Sequence, residues 1–91
     1  KHAQWEFLRL GILRHIESRL WAAALWQLKH SENASLRGII HDLMGLSGLY
    51  GMSELRELVM EFRADYSSLN AQQNLARVDE IRQHIQGFVF E

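Results

Sequence analysis

The chain has no cysteine, no proline and almost no net charge. Its 91 residues include neither Cys nor Pro, and the formal net charge is -1 at pH 7. Without cysteine, neither a disulfide framework nor a thiolate metal site can form. A net charge this small argues against the concentrated basic surface that nucleic-acid binding requires, so we expect no nucleic-acid partner.

The sequence also lacks a long apolar run and a signal-peptide pattern, so we expect no membrane contact by this segment and a cytoplasmic location. Its length suits one domain over residues 1–91, monomeric in isolation. Hydrophobic residues make up 47% and charged residues 23% of the chain, as in ordinary globular proteins. Because the first residue is Lys1 rather than Met, we expect a fragment of a longer protein.

Apolar residues recur at helical spacing, and no stretch alternates with the period of a strand. The spacing predicts helices over residues 3–30 and 34–50, a third from residue 53 and a fourth from residue 71. The residues expected to face the core are Trp5, Leu8, Ile12, Leu13, Ile16, Leu20, Ala24 and Leu28, then Leu36, Ile39, Ile40, Leu43, Leu46 and Tyr50, then Leu55, Leu58, Val59, Phe62 and Tyr66, and finally Leu75, Val78, Ile81, Ile85 and Phe88 or Val89.

The predicted helix ends carry recognisable capping residues. Gly51 is placed to end the second helix, and Ser53 is placed to cap the third. Asn70 with Gln73 resembles a capping box at the start of the fourth. Gly11 marks either a bend in the first helix or a break that would create an extra short N-terminal helix. These features predict an all-α fold, an antiparallel four-helix bundle joined by short turns.

Four of the six glycines lie within residues 38–51. On a helical wheel, His41 shares its face with Gly38, Gly45 and Gly48, and this face lies opposite the apolar stripe. A glycine inside a helix costs about 1 kcal/mol relative to alanine, so three cost about 3 kcal/mol. The gain that we infer is access, because glycines let another molecule approach the imidazole closely. The alternative is that the glycines serve tight packing between helices of the bundle.

An accessible histidine suits nucleophilic chemistry, because a neutral imidazole can attack an activated phosphorus and form a covalent intermediate. Phosphoryl transfer depends mainly on positioning and charge neutralisation, most of which a partner can supply. The sequence has no phosphate-binding glycine loop with lysine and no paired acidic cluster for magnesium. We therefore expect a phosphotransfer intermediate with no ATP site and no bound cofactor, and not an autonomous kinase.

Residues 36–62 resemble the histidine phosphotransfer family. The core motif of that family is a histidine followed by a leucine, a lysine and a glycine, then a second glycine and spaced hydrophobic residues. Upstream, Leu13, Ala24, Leu28, Leu36 and Ile39 fall where the family has apolar positions. The motif here is His41-Asp42-Leu43-Met44-Gly45, then Ser47, Gly51, Leu55, Leu58 and Phe62.

The resemblance implies a four-helix bundle with His41 exposed midway along a central helix. It implies transfer of a phosphoryl group between His41 and an aspartate of a response-regulator receiver domain, in cis or in trans, with magnesium supplied by the receiver. It also implies the C-terminal domain of a hybrid sensor histidine kinase, on the cytoplasmic side, and an apolar docking surface near the histidine. The candidate partner contacts are Gly38, Met44, Gly45, Gly48 and Met52.

Two positions depart from the family pattern. Met44 stands where the family usually has a lysine that holds the phosphoryl oxygens. Arg63 stands where the family usually has Glu or Gln, which accepts a hydrogen bond from the second ring nitrogen. Arginine cannot accept a hydrogen bond, but Arg63, or Arg37 one turn before His41, can provide the missing cation. Met44 is interpreted as an apolar contact on a docking surface.

Two other interpretations remain open at this point. The departures favour a degenerate module that has the fold and docks a partner without transferring phosphate. The apolar face and three tryptophans favour a helical oligomerisation or scaffold module, although we expect Trp5, Trp21 and Trp26 to be packing residues. A metal site has the least support, because the five histidines show no pair at i, i+4. His15 and His84 are expected to be solvated.

Overall fold

The computed structural model describes residues 2–88, and the side chains of residues 4–88. The described chain is entirely helical, without a strand, so the all-α prediction is confirmed. The four helices are α1 (His2–His30), α2 (Ala34–Leu49), α3 (Ser53–Asp65) and α4 (Ala71–Gln86).

The helices form an antiparallel four-helix bundle measuring 44 × 20 × 20 Å. Helix α1 packs against α2 and α4, and α3 packs against α2 and α4. Turns of three, three and five residues, at 31–33, 50–52 and 66–70, connect them. Such short turns force consecutive helices to run in opposite directions. The predicted bundle is therefore confirmed.

Helix α1 passes through Gly11 without interruption. A methyl group added at Gly11 would meet no atom within 4 Å in the described part of the chain. The glycine therefore lowers helix stability without ending the helix, and the extra short N-terminal helix is not formed within the described residues.

The predicted core is correct in the middle of α1 and wrong towards its ends. Leu13, Ile16, Leu20 and Ala24 are buried, whereas Leu28 is 41% exposed. Trp5, Leu8 and Ile12 are also exposed, as is Trp26, while Trp21 is half-buried. At 1.5 Å per residue the 29 residues of α1 extend about 43 Å, against about 24 Å for the 16-residue helices α2 and α4. At its N-terminal end the apolar period of α1 therefore continues past the helices that could cover it, whereas Leu28 is exposed although the neighbouring Gln27 is buried against Asn74 of α4.

Most of the predicted core of the other three helices is buried. The buried residues are Leu36, Ile39, Ile40, Leu43, Leu55, Val59, Phe62, Val78, Ile81 and Ile85. The predicted residues that are only half-buried, packed at the edge of this core, are Leu46, Tyr50, Leu58, Tyr66, Leu75 and Phe88. Val89 lies outside the described residues.

The turn between α2 and α3 corrects two predictions. Gly51 has a φ of 68°, as a helix-terminating glycine does, and its N–H donates to the carbonyl of Gly48. The N–H of Met52 then donates to the carbonyl of Ser47 at 2.9 Å. This reversal turns Met52 into the core, where it is 3% exposed, so it cannot contact a partner as predicted. Ser53 is the first residue of α3 and not its cap, because Met52 occupies the cap position without a side-chain hydrogen bond.

The predicted capping box at the start of α4 is confirmed. The backbone N–H of Gln73 donates to Oδ1 of Asn70 at 2.8 Å, and the N–H of Asn70 donates to Oε1 of Gln73 at 2.9 Å. The two bonds satisfy donors that would otherwise be unpaired at the helix start.

Buried polar side chains that the sequence did not identify fix α4 against α1. Asn74, fully buried, donates from Nδ2 to Oε1 of Gln27 at 2.9 Å and to the carbonyl of Tyr66 at 3.0 Å. Near the other end, the buried carboxylate of Glu17 accepts bonds from Arg82 Nε at 3.0 Å and Gln86 Nε2 at 2.8 Å. A slip of one helix along the other would break both sets of bonds.

We expect Asn74→Ala to lower the free energy of unfolding by about 1–3 kcal/mol, because it leaves two buried hydrogen-bonding groups without their donor. Urea denaturation followed by circular dichroism measures the change. Gln72→Ala, at an exposed position of the same helix, is the matched control and should shift the midpoint little. Equal midpoints for the two variants would contradict the structural role of Asn74.

Candidate functional site

His41 lies in the middle of α2 on the exposed face of the helix. The residues on its inner side, Leu36, Ile40 and Leu43, are buried, so the packing of α2 directs the imidazole outward. No hydrogen bond from any described residue reaches the ring. The imidazole is therefore accessible from solvent, and no hydrogen bond within residues 2–88 fixes its orientation.

On the α3 side of His41 lies a cleft of about 390 Å³, which we call the basic cleft; its lining residues are Arg37, Ile40, His41, Arg63 and Tyr66. Arg37 precedes His41 by one turn of α2, and Arg63 extends from the last turn of α3. Both arginines are exposed, and neither has an ion pair within the described chain. Arg37 and Arg63, the two cations predicted from the sequence, therefore line the same cleft as His41.

On the α1 side lies a second depression of about 430 Å³, which we call the apolar groove; its lining residues are Ile16, His41, Asp42, Gly45 and Leu46. Its one acidic lining residue is Asp42, whose Oδ2 lies 3.8 Å from Nη1 of Arg19 on α1. Sequence reasoning did not single out either member of this pair. His41 therefore separates a cationic cleft from a mainly apolar groove.

The glycines beside His41 are not required by packing within the described bundle. A methyl group added at Gly38 or Gly45 would find no atom of a neighbouring helix or of a non-adjacent side chain within 4 Å. At Gly48 it would lie 3.6 Å from Nε of Arg56, an ordinary van der Waals contact. The alternative that these glycines permit close helix packing is therefore wrong for this part of the chain.

The two methionines of the predicted partner surface are less accessible than expected. Met44 is half-buried and packs against the core. Met52 is buried, as described above. Of the five proposed partner-contact residues, Gly38, Gly45 and Gly48 are fully on the surface.

An apolar strip continues from the apolar groove along α1. Trp5, Leu8 and Ile12 are spaced three and four residues apart and lie on the same face as Ile16. Their side chains are exposed, Trp5 at 55%. Leu49, in the last turn of α2, is 78% exposed. Exposed apolar surface of this extent is typical of an interaction site.

His15, His30 and His84 line neither the basic cleft nor the apolar groove. His15 and His30 are exposed, and the ring of His30 lies 3.7 Å from that of Trp26. The prediction that His84 is solvated is wrong, because its side chain is half-buried and its buried Nε2 has no hydrogen-bond partner among the described residues. Among the residues that the structure describes, no group of three His, Cys, Asp or Glu side chains could hold a metal ion. No helix over residues 2–88 is both long and apolar enough to cross a membrane.

We expect Gly38→Ala and Gly45→Ala each to raise the free energy of unfolding by about 0.5–1 kcal/mol, because alanine favours the helix and meets no obstacle at either position. Urea denaturation of the single variants measures the gain.

Gly51→Ala is the matched control, since a positive φ disfavours alanine there and the variant should be destabilised. A loss of stability in Gly38→Ala or Gly45→Ala would show that these glycines serve the fold itself.

Comparison with known proteins adds no identification: no protein-family model, no curated protein and no solved structure matches the chain. The interpretation of the site therefore depends on its residues and their geometry.

Proposed function

We propose that this domain is a phosphotransfer module that carries a phosphoryl group on His41, to or from an aspartate of a response-regulator receiver domain. The observation that carries the proposal is the basic cleft, where an exposed imidazole shares one cleft with two arginines that have no ion-pair partners in the described chain. An accessible nucleophile beside free cations suits the transfer of an anionic group. The resemblance of residues 36–62 to the histidine phosphotransfer family points to the same reaction.

The transfer is an in-line displacement at phosphorus. The lone pair of one ring nitrogen of His41 forms the N–P bond while the O–P bond of the partner's aspartyl phosphate breaks. The bonding electrons leave with the aspartate, which becomes a free carboxylate. The ring thereby becomes an N-phosphoimidazolium cation, and its second nitrogen releases its proton to solvent to give neutral phosphohistidine. The reverse reaction returns the phosphoryl group to an aspartate, so one site can serve both directions.

Arg37 and Arg63 neutralise charge on the phosphoryl oxygens in this proposal. They take the place of the lysine that the family usually has at the position of Met44, because the half-buried thioether of Met44 carries no charge. Guanidinium groups suit this role, since their planar N–H donors match phosphoryl oxygens in pairs. Magnesium would come from the receiver domain, and this domain would bind neither ATP nor a cofactor of its own.

The glycine face and the apolar surfaces would receive the receiver domain. Gly38 and Gly45 leave room for its backbone beside His41. The apolar groove continues into the strip of Trp5, Leu8 and Ile12, so one partner can contact the histidine and cover exposed apolar area together. We further propose that the domain works on the cytoplasmic side, as the C-terminal domain of a hybrid sensor kinase.

A second candidate is a docking module that has lost transfer. It is favoured by the ring of His41, which lacks a hydrogen bond from the described residues, and by the absence of a lysine at position 44. Both candidates use the same surface, so binding alone does not separate them. The two differ in whether acid-labile phosphate appears on His41.

The deciding experiment mixes the domain with a panel of receiver domains carrying labelled aspartyl phosphate. We expect label on the wild type from at least one receiver and none on His41→Gln, because glutamine offers no nucleophilic ring nitrogen. His15→Gln removes another exposed histidine and should keep the label. Binding without labelling would support the docking module, and an obligate dimer that buries His41 would support the scaffold interpretation.

We expect Arg37→Ala and Arg63→Ala each to slow transfer about three- to tenfold, since one cation near a phosphoryl group at a partly exposed site contributes on the order of 1 kcal/mol. Rapid-quench kinetics with a phosphorylated receiver measures the rate constants. Lys29→Ala, at the far end of α1, is the control for loss of one positive charge. Unchanged rates in both arginine variants would refute their assignment.

A further inference from the structure

Charge is distributed unequally around His41. The basic cleft places Arg37 and Arg63 on one side of the ring, and the apolar groove places Asp42 on the other. Asp42 is the one acidic residue among those that line either depression. The resemblance to the histidine phosphotransfer family implies no role for the Asp42 carboxylate.

A carboxylate at this position would oppose the proposed reaction if it were unneutralised. Asp42 follows His41 directly in the helix, with Cα atoms about 3.8 Å apart, and both side chains line the same groove. A phosphoryl group brings a charge of about -1.5 to -2. At physiological ionic strength, solvent ions screen only in part the repulsion between charges that lie closer than a Debye length of about 8 Å.

Arg19 is the residue that offsets this charge. Its Nη1 lies 3.8 Å from Oδ2 of Asp42, and both side chains are 49% exposed. An ion pair this exposed contributes little to folding. The pair joins α1 to α2 directly beside the reactive histidine, at the edge that an approaching partner must contact.

We propose that Arg19 is a positioning residue for phosphoryl transfer at His41: it holds and neutralises the carboxylate of Asp42, so that the negative charge of an incoming phosphoryl group is not repelled from the groove side. The inference rests on the proposed function. It assigns to Arg19 an effect that acts through Asp42, without contact between Arg19 and the phosphoryl group.

The test measures transfer from a phosphorylated receiver to six proteins at low salt: wild type, Arg19→Ala, Arg19→Lys, Asp42→Asn, the double variant Arg19→Ala/Asp42→Asn and a control, Arg14→Ala. We expect Arg19→Ala to lower the rate constant, and the fraction of phosphoryl group on His41 at equilibrium, by about two- to fivefold. Arg19→Lys should stay near wild type. Arg14→Ala, which removes another exposed arginine of the same helix, is the control for the loss of one positive charge.

The decisive comparison is whether Asp42→Asn restores the transfer that Arg19→Ala loses. If Arg19 acts through Asp42, Arg19→Ala has less than a twofold effect when Asp42→Asn is already present, and high salt narrows the gap between Arg19→Ala and wild type. A purely structural or docking role for Arg19 would leave its effect intact in the Asp42→Asn background. Urea denaturation midpoints, measured for all variants, test whether unfolding causes any loss of transfer.

The outcomes distinguish failure of the role proposed for Arg19 from failure of the proposed function. Transfer to wild type with no loss in Arg19→Ala, or a loss that Asp42→Asn does not rescue, overturns the role of Arg19 and leaves the proposed function standing. If no receiver labels the wild type while a reference phosphotransfer domain accepts phosphate from the same panel, both proposals are overturned.

Discussion

The packing of α2 between α1 and α3 is the constraint on which the site depends. Leu36 and Leu43 are fully buried, and Ile40 nearly so, because helices contact α2 on both flanks. With its inner face fixed in this way, α2 has only one direction in which to present His41. The same packing brings Arg63, from α3, to one side of the ring and Ile16, from α1, to the other. The site is thus a consequence of how the core is filled.

The sequence was sufficient to place Gly38, His41 and Gly45 on the outward face of α2, because the buried residues Leu36, Ile40 and Leu43 follow the helical period. The same reasoning failed for α1. Trp5, Leu8 and Ile12 continue the period correctly, but their side chains are exposed because no described helix covers that face of α1. Periodicity predicts which residues share a face. It does not predict whether a partner helix lies opposite, since that depends on the relative lengths of the helices.

Contacts between residues far apart in the sequence could not be predicted, for a different reason. Arg63 reaches the cleft only because the turn at Gly51 and Met52 sets where α3 begins, and that turn buries Met52, which was predicted to contact a partner. The pairing of Asn74 with Gln27 joins residues 47 positions apart and has no local pattern. Such pairs depend on the register between helices, which exists only after the bundle has assembled.

The free orientation of the His41 ring has a consequence for the proposed reaction. No described residue holds the ring by a hydrogen bond, so orienting it for attack carries an entropic cost that this domain does not meet alone. Gly38 and Gly45 leave open the space in which a partner's backbone can approach that ring. On this argument the glycines lower the stability of the isolated domain while allowing the receiver to complete the site. Selectivity among receivers would then depend on how well each orients the imidazole, and not only on how tightly each one binds.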